Sequence, residues 1–289
     1  MSDRILNSIF FTDLYEGRLA SLTKIIRDDI DLDLQIRKGY INVYFKGNSL
    51  LKLEKTRSGY ASEIHPKFLG NFAPFDFESD HEVERFAASI PSLKSNINVF
   101  GSSSLELEFE QLLIRANNRE KRNNTEYFFV DRQYVSGKER FDLMGFYWAR
   151  SNRGQNRKVQ PCMVEVKYGL NSDISQLAAQ IDRYHFHIQE RAGFIVDELE
   201  ANFEQKRDLG MYTLTKEQES AMKDLEFCRN PKDFLYVLAL IDFNPHSKLF
   251  SPETFLGKVY RDQIRIFSCG LAMWDQVAGY NYSAGVCDL

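Results

Sequence analysis

Arg140-Phe141-Asp142-Leu143-Met144-Gly145-Phe146 and, beyond a short basic segment, Met163-Val164-Glu165-Val166-Lys167-Tyr168-Gly169 decide how this chain is read. Both stretches are made of strand-forming residues, yet they carry two carboxylates and a lysine. Burying such charges is costly unless something pairs with them. Strand side chains alternate between faces, so Glu165 and Lys167 project together while Val166 points the other way. Asp142, on the preceding strand, can reach the same face, because segment 150–158 is short enough for a hairpin-like return. A divalent cation would pair with both carboxylates and leave the lysine beside a bound water. Mg²⁺ is the expected cofactor, with Mn²⁺ able to replace it, since Asp142, Glu165 and the Val166 carbonyl offer hard oxygens. A metal so held lowers the pKa of water and neutralises charge on a phosphate, with Lys167 assisting. Phosphodiester hydrolysis is therefore the expected chemistry.

Composition sets the frame. With 289 residues and 43% hydrophobic content the chain is globular, large enough for a core domain and a smaller companion. Its cysteines, Cys162, Cys228, Cys269 and Cys287, show no C-x-x-C spacing, which argues against a zinc ribbon or a disulfide framework. Cys162 reads as a small core hydrophobe. A reduced, cytoplasmic protein is expected. The opening Met1-Ser2-Asp3-Arg4-Ile5-Leu6 has no basic stretch leading into an apolar run, so no signal peptide is expected, and no run of 18 apolar residues predicts a membrane span. The net charge of −4 does not advertise a nucleic-acid binder, but its distribution does more. Residues 32–57 and 150–158 are basic and 197–226 acidic, which polarises the molecule, with basic ground at its front and around the motif.

Periodicity predicts a helix over 13–27, then a meander in which Leu32, Leu34, Ile36, then Ile41, Val43, Phe45, then Leu51, Leu53 alternate with polar residues. Turns fall at Lys38-Gly39 and Gly47-Asn48, and the outer face would carry Arg37, Lys46, Lys52 and Lys55. An acidic helix over 79–90 ends at Ile90-Pro91, and a domain boundary is placed at 90–100. Residues 1–95 then form an α+β region, a scaffold or a nucleic-acid-gripping or assembly surface. In 96–289, Ser103-x-x-Glu106 has capping-box spacing and starts a helix with Leu105, Phe109, Leu112 and Ala116 on one stripe. Strands follow at 127–134, 140–147 and 161–168, and a helix runs from 171 or 172 to 189. A helical insertion spans about 194–228, as helices over 194–207 and 215–227. The apolar run 234–243 suits a strand buried on both faces, and a last strand covers 263–271.

Asp142…Glu165-Val166-Lys167, within an order of helix, three strands, helix and strands, resembles the PD-(D/E)XK nuclease superfamily over roughly 100–270. The resemblance implies a restriction-endonuclease-like core, a central mixed sheet flanked by helices, and a metal-dependent nuclease acting on DNA. It implies Asp142 and Glu165 as metal ligands and Lys167 as the catalytic assistant. That family also places an acidic residue on the first core helix; Glu106, Glu108 and Glu110 are available, and Glu108 is chosen because Glu106 serves the capping box and Glu110 sits further from the stripe. One branch, the nuclease domains of recombination helicase-nucleases, adds Gln-x-x-x-Tyr, matched by Gln180-Ile181-Asp182-Arg183-Tyr184 with Gln176 one turn earlier. These residues would touch substrate or support the site. Phe141 stands where the family name has proline. An enzyme of this kind would suit prokaryotic or phage defence, restriction or repair. RNA is a possible substrate, and a homodimer or a partner subunit a possible assembly. A protein of this fold that binds or assembles without cleaving is the rival reading.

Other residues carry blander expectations. Asp131 reads as a strand-end residue before a ligand, and His185-x-His187 as ordinary polar positions, because their rings diverge on a helix. Arg150–Lys158 is a hairpin tip or a phosphate contact, and 115–122 an exposed helix end with Arg115 near the site. Trp148 and Trp274 are expected to fill core or interface.

Overall fold

The computed structural model describes residues 4–102, 104–153, 157–169 and 172–271. The chain is mixed α/β, with an antiparallel four-stranded sheet and a mixed six-stranded sheet, both accompanied by helices. Its described residues divide into two compact units: unit 1 holds 4–131 and 197–220, unit 2 holds 132–196 and 221–271. Neither edge falls at the boundary expected at 90–100.

Unit 1 opens with α1 (Ser8–Tyr15) and α2 (Ala20–Asp28), where periodicity predicts one helix over 13–27. The chain doubles back at Gly17, where a Cβ would stand 2.8 Å from the Asp13 Cα, an approach only glycine permits. Strands β1 (Asp33–Arg37), β2 (Tyr40–Phe45), β3 (Asn48–Lys55) and β4 (Tyr60–Glu63) then pair in sequence, each antiparallel to the next. The meander is as the alternation predicts, with β4 added. Lys46 and Gly47 both take positive φ, the signature of a tight hairpin turn. Ile36, Ile41, Val43, Leu51 and Leu53 enter the core. Arg37 corrects the expected basic outer face, because it is buried and paired with Asp131.

A single turn, α3 (Pro66–Leu69), precedes α4 (Asp80–Phe100), which runs through Pro91 where the sequence predicts an end. Proline there forfeits the bond to the Ala87 carbonyl, at a cost of about 3 kcal/mol. Leu93 and Ile97 beyond it are buried with Val83, Phe86 and Ile90, and each such burial contributes about 1.5–3 kcal/mol, which offsets the loss. Helix α5 (Leu105–Ile114) follows, with Ser104 as N-cap and no capping side-chain bond. Ser103, on which the expected capping box rests, lies outside the described residues. Helix α5 passes directly into a π-helical turn, Arg115–Arg119.

The larger sheet comprises β5 (Tyr127–Ser136), β6 (Glu139–Tyr147) and β7 (Lys158–Tyr168), then, after α6 (Leu177–Asp208) and α7 (Lys216–Ala221), β8 (Glu226–Phe227), β9 (Leu235–Ile241) and β10 (Ile264–Cys269). Its order is β10-β9-β7-β6-β5, with β8 beside β7. Strand β6 is antiparallel to β7, whereas β9 is parallel to both β7 and β10. Every residue of β9 is buried, as its apolar run predicts. Helix α6 replaces the two helices expected over 172–189 and 194–207. Its stripe of Ile181, Tyr184, Ile188, Ala192, Ile195, Leu199 and Phe203 stays buried at helical spacing past Gly193. The helix expected over 215–227 is shorter, since α7 yields to a 3₁₀ turn and β8. Trp148 and Cys162 are core residues, while Trp274 and Cys287 lie outside the described residues. Among the described residues no helix is long and apolar enough to cross a membrane.

Candidate active site

Strand β7 becomes polar toward its C-terminal end, beside the C-terminal half of its parallel neighbour β9. Glu165 lies opposite Leu238, and Lys167 opposite Leu240. Ligand sites in α/β sheets gather outside such carboxyl ends. The β6–β7 ladder ends near the pair Leu143–Val164, and the Asp142 side chain takes over from it: Oδ2 accepts the Val166 amide at 2.9 Å. A strand residue sends its N–H and C=O to the same side, so the Val166 carbonyl also faces β6. Asp142, Glu165, Lys167 and the Val166 backbone thus come together on two adjoining strands.

Glu165 is 2% exposed, and both its oxygens are engaged. Oε1 accepts from Lys167 Nζ at 2.5 Å, and Oε2 faces the Tyr184 hydroxyl at 2.8 Å. The Tyr184 proton lies between Glu165 and the Arg140 carbonyl at 2.7 Å, while Gln180 Nε2 donates to the same hydroxyl at 2.7 Å. Burial, reinforced by the Glu165 carboxylate, pushes the Tyr184 phenol far above its ordinary pKa, so it stays a donor. Phe141, fully buried, packs its ring 4.4 Å from that of Tyr184. Phe141 therefore props the tyrosine. Gln176, in the 3₁₀ turn before α6, is exposed, with no contact to these groups described.

One contributor escapes sequence reasoning. Gln133 in β5 directs Nε2 to Asp142 Oδ1 at 3.3 Å and holds a positive φ of 51°. A glutamine in that conformation is uncommon, and nothing local in the sequence signals it.

Several expected residues are described with other partners. Glu108 is in unit 1, 3.9 Å from Lys46, and Arg115 is in the same unit, paired with Asp31 at 2.6 Å and Glu120 at 3.0 Å. Both assignments followed from the stripe through Leu105 and Leu112, but these leucines are exposed and the buried residues of α5 are Glu110, Gln111 and Ile114. Glu110 is buried and Glu106 half-buried. Asp131 is ion-paired with Arg37 and, at 3.3 Å, with Arg4. His185 meets the Tyr236 hydroxyl at 3.1 Å and His187 the Ser136 hydroxyl at 2.9 Å, so the rings diverge as expected. In the basic loop, Arg153 folds back on Trp148 and Arg150 is exposed, while residues 154–156 lie outside the described residues.

Among the described residues no three His, Cys, Asp or Glu side chains form a metal-holding group. Mg²⁺ does not demand one: it is commonly held by one or two carboxylates, with waters and substrate phosphate completing six oxygens. Asp142 and Glu165 bring carboxylate oxygens to the two adjoining strands, and the Val166 carbonyl is on the Asp142 side. The donor set is hard, anionic and suited to Mg²⁺ or Mn²⁺. No protein-family model, no curated protein and no solved structure matches the chain.

Proposed function

We propose that this chain is a metal-dependent nuclease of the PD-(D/E)XK kind, with a restriction-endonuclease-like core, hydrolysing phosphodiester bonds of DNA. The carrying observation is the grouping of Asp142, Glu165 and Lys167 at the carboxyl end of a parallel strand pair, with Tyr184 seated on Glu165. The element order from α5 through β5, β6, β7 and α6 to β9 supports the same reading.

Asp142, Glu165 and the Val166 carbonyl would hold Mg²⁺ or Mn²⁺. The metal would supply a Lewis acid for the phosphate and a water acidified enough to attack it. Lys167 moves from its ion pair with Glu165 to orient the attacking water or to offset charge developing on phosphate oxygens. Tyr184 fixes the Glu165 rotamer, Gln180 fixes Tyr184, and Gln133 steadies Asp142. Arg150, exposed beside β6, is suited to contact the nucleic-acid backbone. A role in prokaryotic or phage defence, restriction or repair would fit such an enzyme.

The test is incubation of supercoiled, linear and single-stranded DNA, and of RNA, with Mg²⁺ or Mn²⁺. Cleavage of DNA by the wild type, lost in Glu165→Ala and Lys167→Ala while both stay folded, is the expected result. Preferred cleavage of RNA would reassign the substrate. Binding without turnover, or undiminished cleavage by Lys167→Ala, would overturn the proposed chemistry.

A further inference from the structure

Gln133 breaks the backbone pattern of its own strand. Strand β5 runs from Tyr127 to Ser136, yet Gln133 within it holds φ at 51°. A β-carbon disfavours that left-handed conformation, which suits Gly, Asn or Asp better than Gln. Strained residues of this kind persist where the surroundings over-determine them, and they cluster at active sites and ligand clamps. A left-handed residue inside a strand also interrupts the alternation of faces and re-aims its side chain, as bulges beside active sites do. Here Arg132 and Tyr134 on either side are buried, while Gln133 is half-buried, as is Asp142.

The re-aimed side chain arrives at Asp142. Asp142 Oδ2 accepts the Val166 amide at 2.9 Å, and Oδ1 stands 3.3 Å from Gln133 Nε2. The oxygen and nitrogen of a primary amide occupy nearly equivalent positions, and a half-turn about the Cγ–Cδ bond exchanges them. The N–H end faces Asp142 in the structure, as a carboxylate alone requires. A cation on Oδ1 reverses that preference, because it repels N–H and attracts the amide oxygen. Neighbouring oxygens around Mg²⁺, each about 2.1 Å from the ion, stand about 3 Å apart. The 3.3 Å separation of Gln133 and Asp142 is close to that spacing. Among the described residues no third Asp, Glu, His or Cys joins Asp142 and Glu165 in a metal-holding group, so a further side-chain ligand has to be neutral.

We propose that Gln133 is itself a metal ligand, its amide oxygen joining Asp142, Glu165 and the Val166 carbonyl when Mg²⁺ or Mn²⁺ is bound. The inference rests on the metal site of the proposed nuclease and goes beyond it, since a residue that steadies Asp142 becomes one that touches the ion. Gln side-chain oxygens are hard ligands of the kind such cations accept. A neutral ligand also leaves the site more positive than a third carboxylate would, which favours an anionic substrate.

Terbium(III) tests this on the full chain without any cleavage. It is an oxygen-seeking cation, and its luminescence lifetimes in H₂O and D₂O count the waters bound to it. Glycine adopts positive φ without strain, so Gln133→Gly removes the amide and spares the fold. Tb³⁺ should bind the wild type and be displaced by Mn²⁺, and in Gln133→Gly it should carry one more water. Mn²⁺ affinity in that variant should fall about tenfold or more, at least what the loss of a supporting group costs. Gln133→Glu keeps an oxygen in place and has no N–H to donate; it should retain the wild-type water count. An unchanged count in Gln133→Gly, with Tb³⁺ still bound, overturns the ligand role and leaves the nuclease reading standing. A count that rises equally in Gln133→Glu overturns it as well. Failure of the wild type to bind Tb³⁺ or Mn²⁺, or binding that survives Asp142→Asn combined with Glu165→Gln, overturns the metal site itself and this inference with it.

Discussion

Both units bury charge, and they do so in opposite ways. In unit 1, Asp131 is clasped by Arg37 and Arg4, Asp33 by Gln35, and Lys206 by Gln35 and the Val130 carbonyl. These groups sit inside a core of sheet and helices, and most of their hydrogen-bonding capacity is spent within the protein. In unit 2, Asp142, Glu165 and Lys167 lie where the β6–β7 ladder stops; Glu165 is buried, but Asp142 and Lys167 keep some exposure. An ion pair deep in a core answers to folding. The carboxylate pair at the strand end is steadied by Tyr184 and Gln133 and keeps one member, Asp142, partly exposed, which is what the proposed metal site would need.

The comparison breaks most forcefully at Asp131. Asp131→Ala leaves Arg37 and Arg4 buried without their carboxylate, and removing one partner of such a pair costs about 3–5 kcal/mol. Urea unfolding should show that loss, while DNA cleavage measured under conditions where the protein remains folded should be unchanged. A stability change under about 1 kcal/mol would mean the cluster behaves like a surface pair.

Tyr184→Phe probes the opposite character. It keeps the ring against Phe141 and removes only the hydroxyl from Glu165. A hydrogen bond to a charged group is worth about 1.5–3 kcal/mol, so cleavage should fall roughly 10- to 100-fold. Rates that do not change would show that Glu165 needs no second support and that Tyr184 serves the core alone.

How far this contrast could be read beforehand depends on the residue. Alternating apolar positions gave β1 to β3, and the charged interruption in β7 exposed Glu165 and Lys167, because period-two patterning is local. Gln180 and Tyr184 share a helix face for the same reason. Gln133 was illegible, since its positive φ is imposed by the sheet around it. Glu108 faces Lys46 and Arg115 pairs with Asp31 and Glu120, partners that the periodicity of α5 could not name. Pro91 looked like the end of a helix and the stretch 189–194 like a gap between two, and burial on both sides of each carried the helix through. Local punctuation lost to tertiary packing at both positions.

The pH dependence of unit 1 separates the two kinds of burial more finely. Burial holds Lys206 at about 8, below the ordinary lysine value of 10.5, so between these limits the unfolded chain binds more protons than the folded one. Stability contributed by this group therefore rises with pH across that window, by at most about 1.4 kcal/mol per unit, and is penalised below it. The difference in unfolding free energy between wild type and Lys206→Met isolates the effect from the buried tyrosines and Cys162. It should shift toward the wild type as pH increases from 8 to 10. A flat difference would place Lys206 in a wetter setting than its 2% exposure indicates.

The smallest effect concerns Gly193, which lies inside helix α6. Glycine in a helix interior is less favourable than alanine by about 0.5–1 kcal/mol. Gly193 is exposed and a Cβ there meets nothing within 4 Å, so no packing reason opposes the change. Gly193→Ala should therefore raise stability by that amount and leave cleavage as it is. Destabilisation instead would mean that the chain leaves helical geometry at 193, and that the residues before and after it form the two separate helices their punctuation suggests.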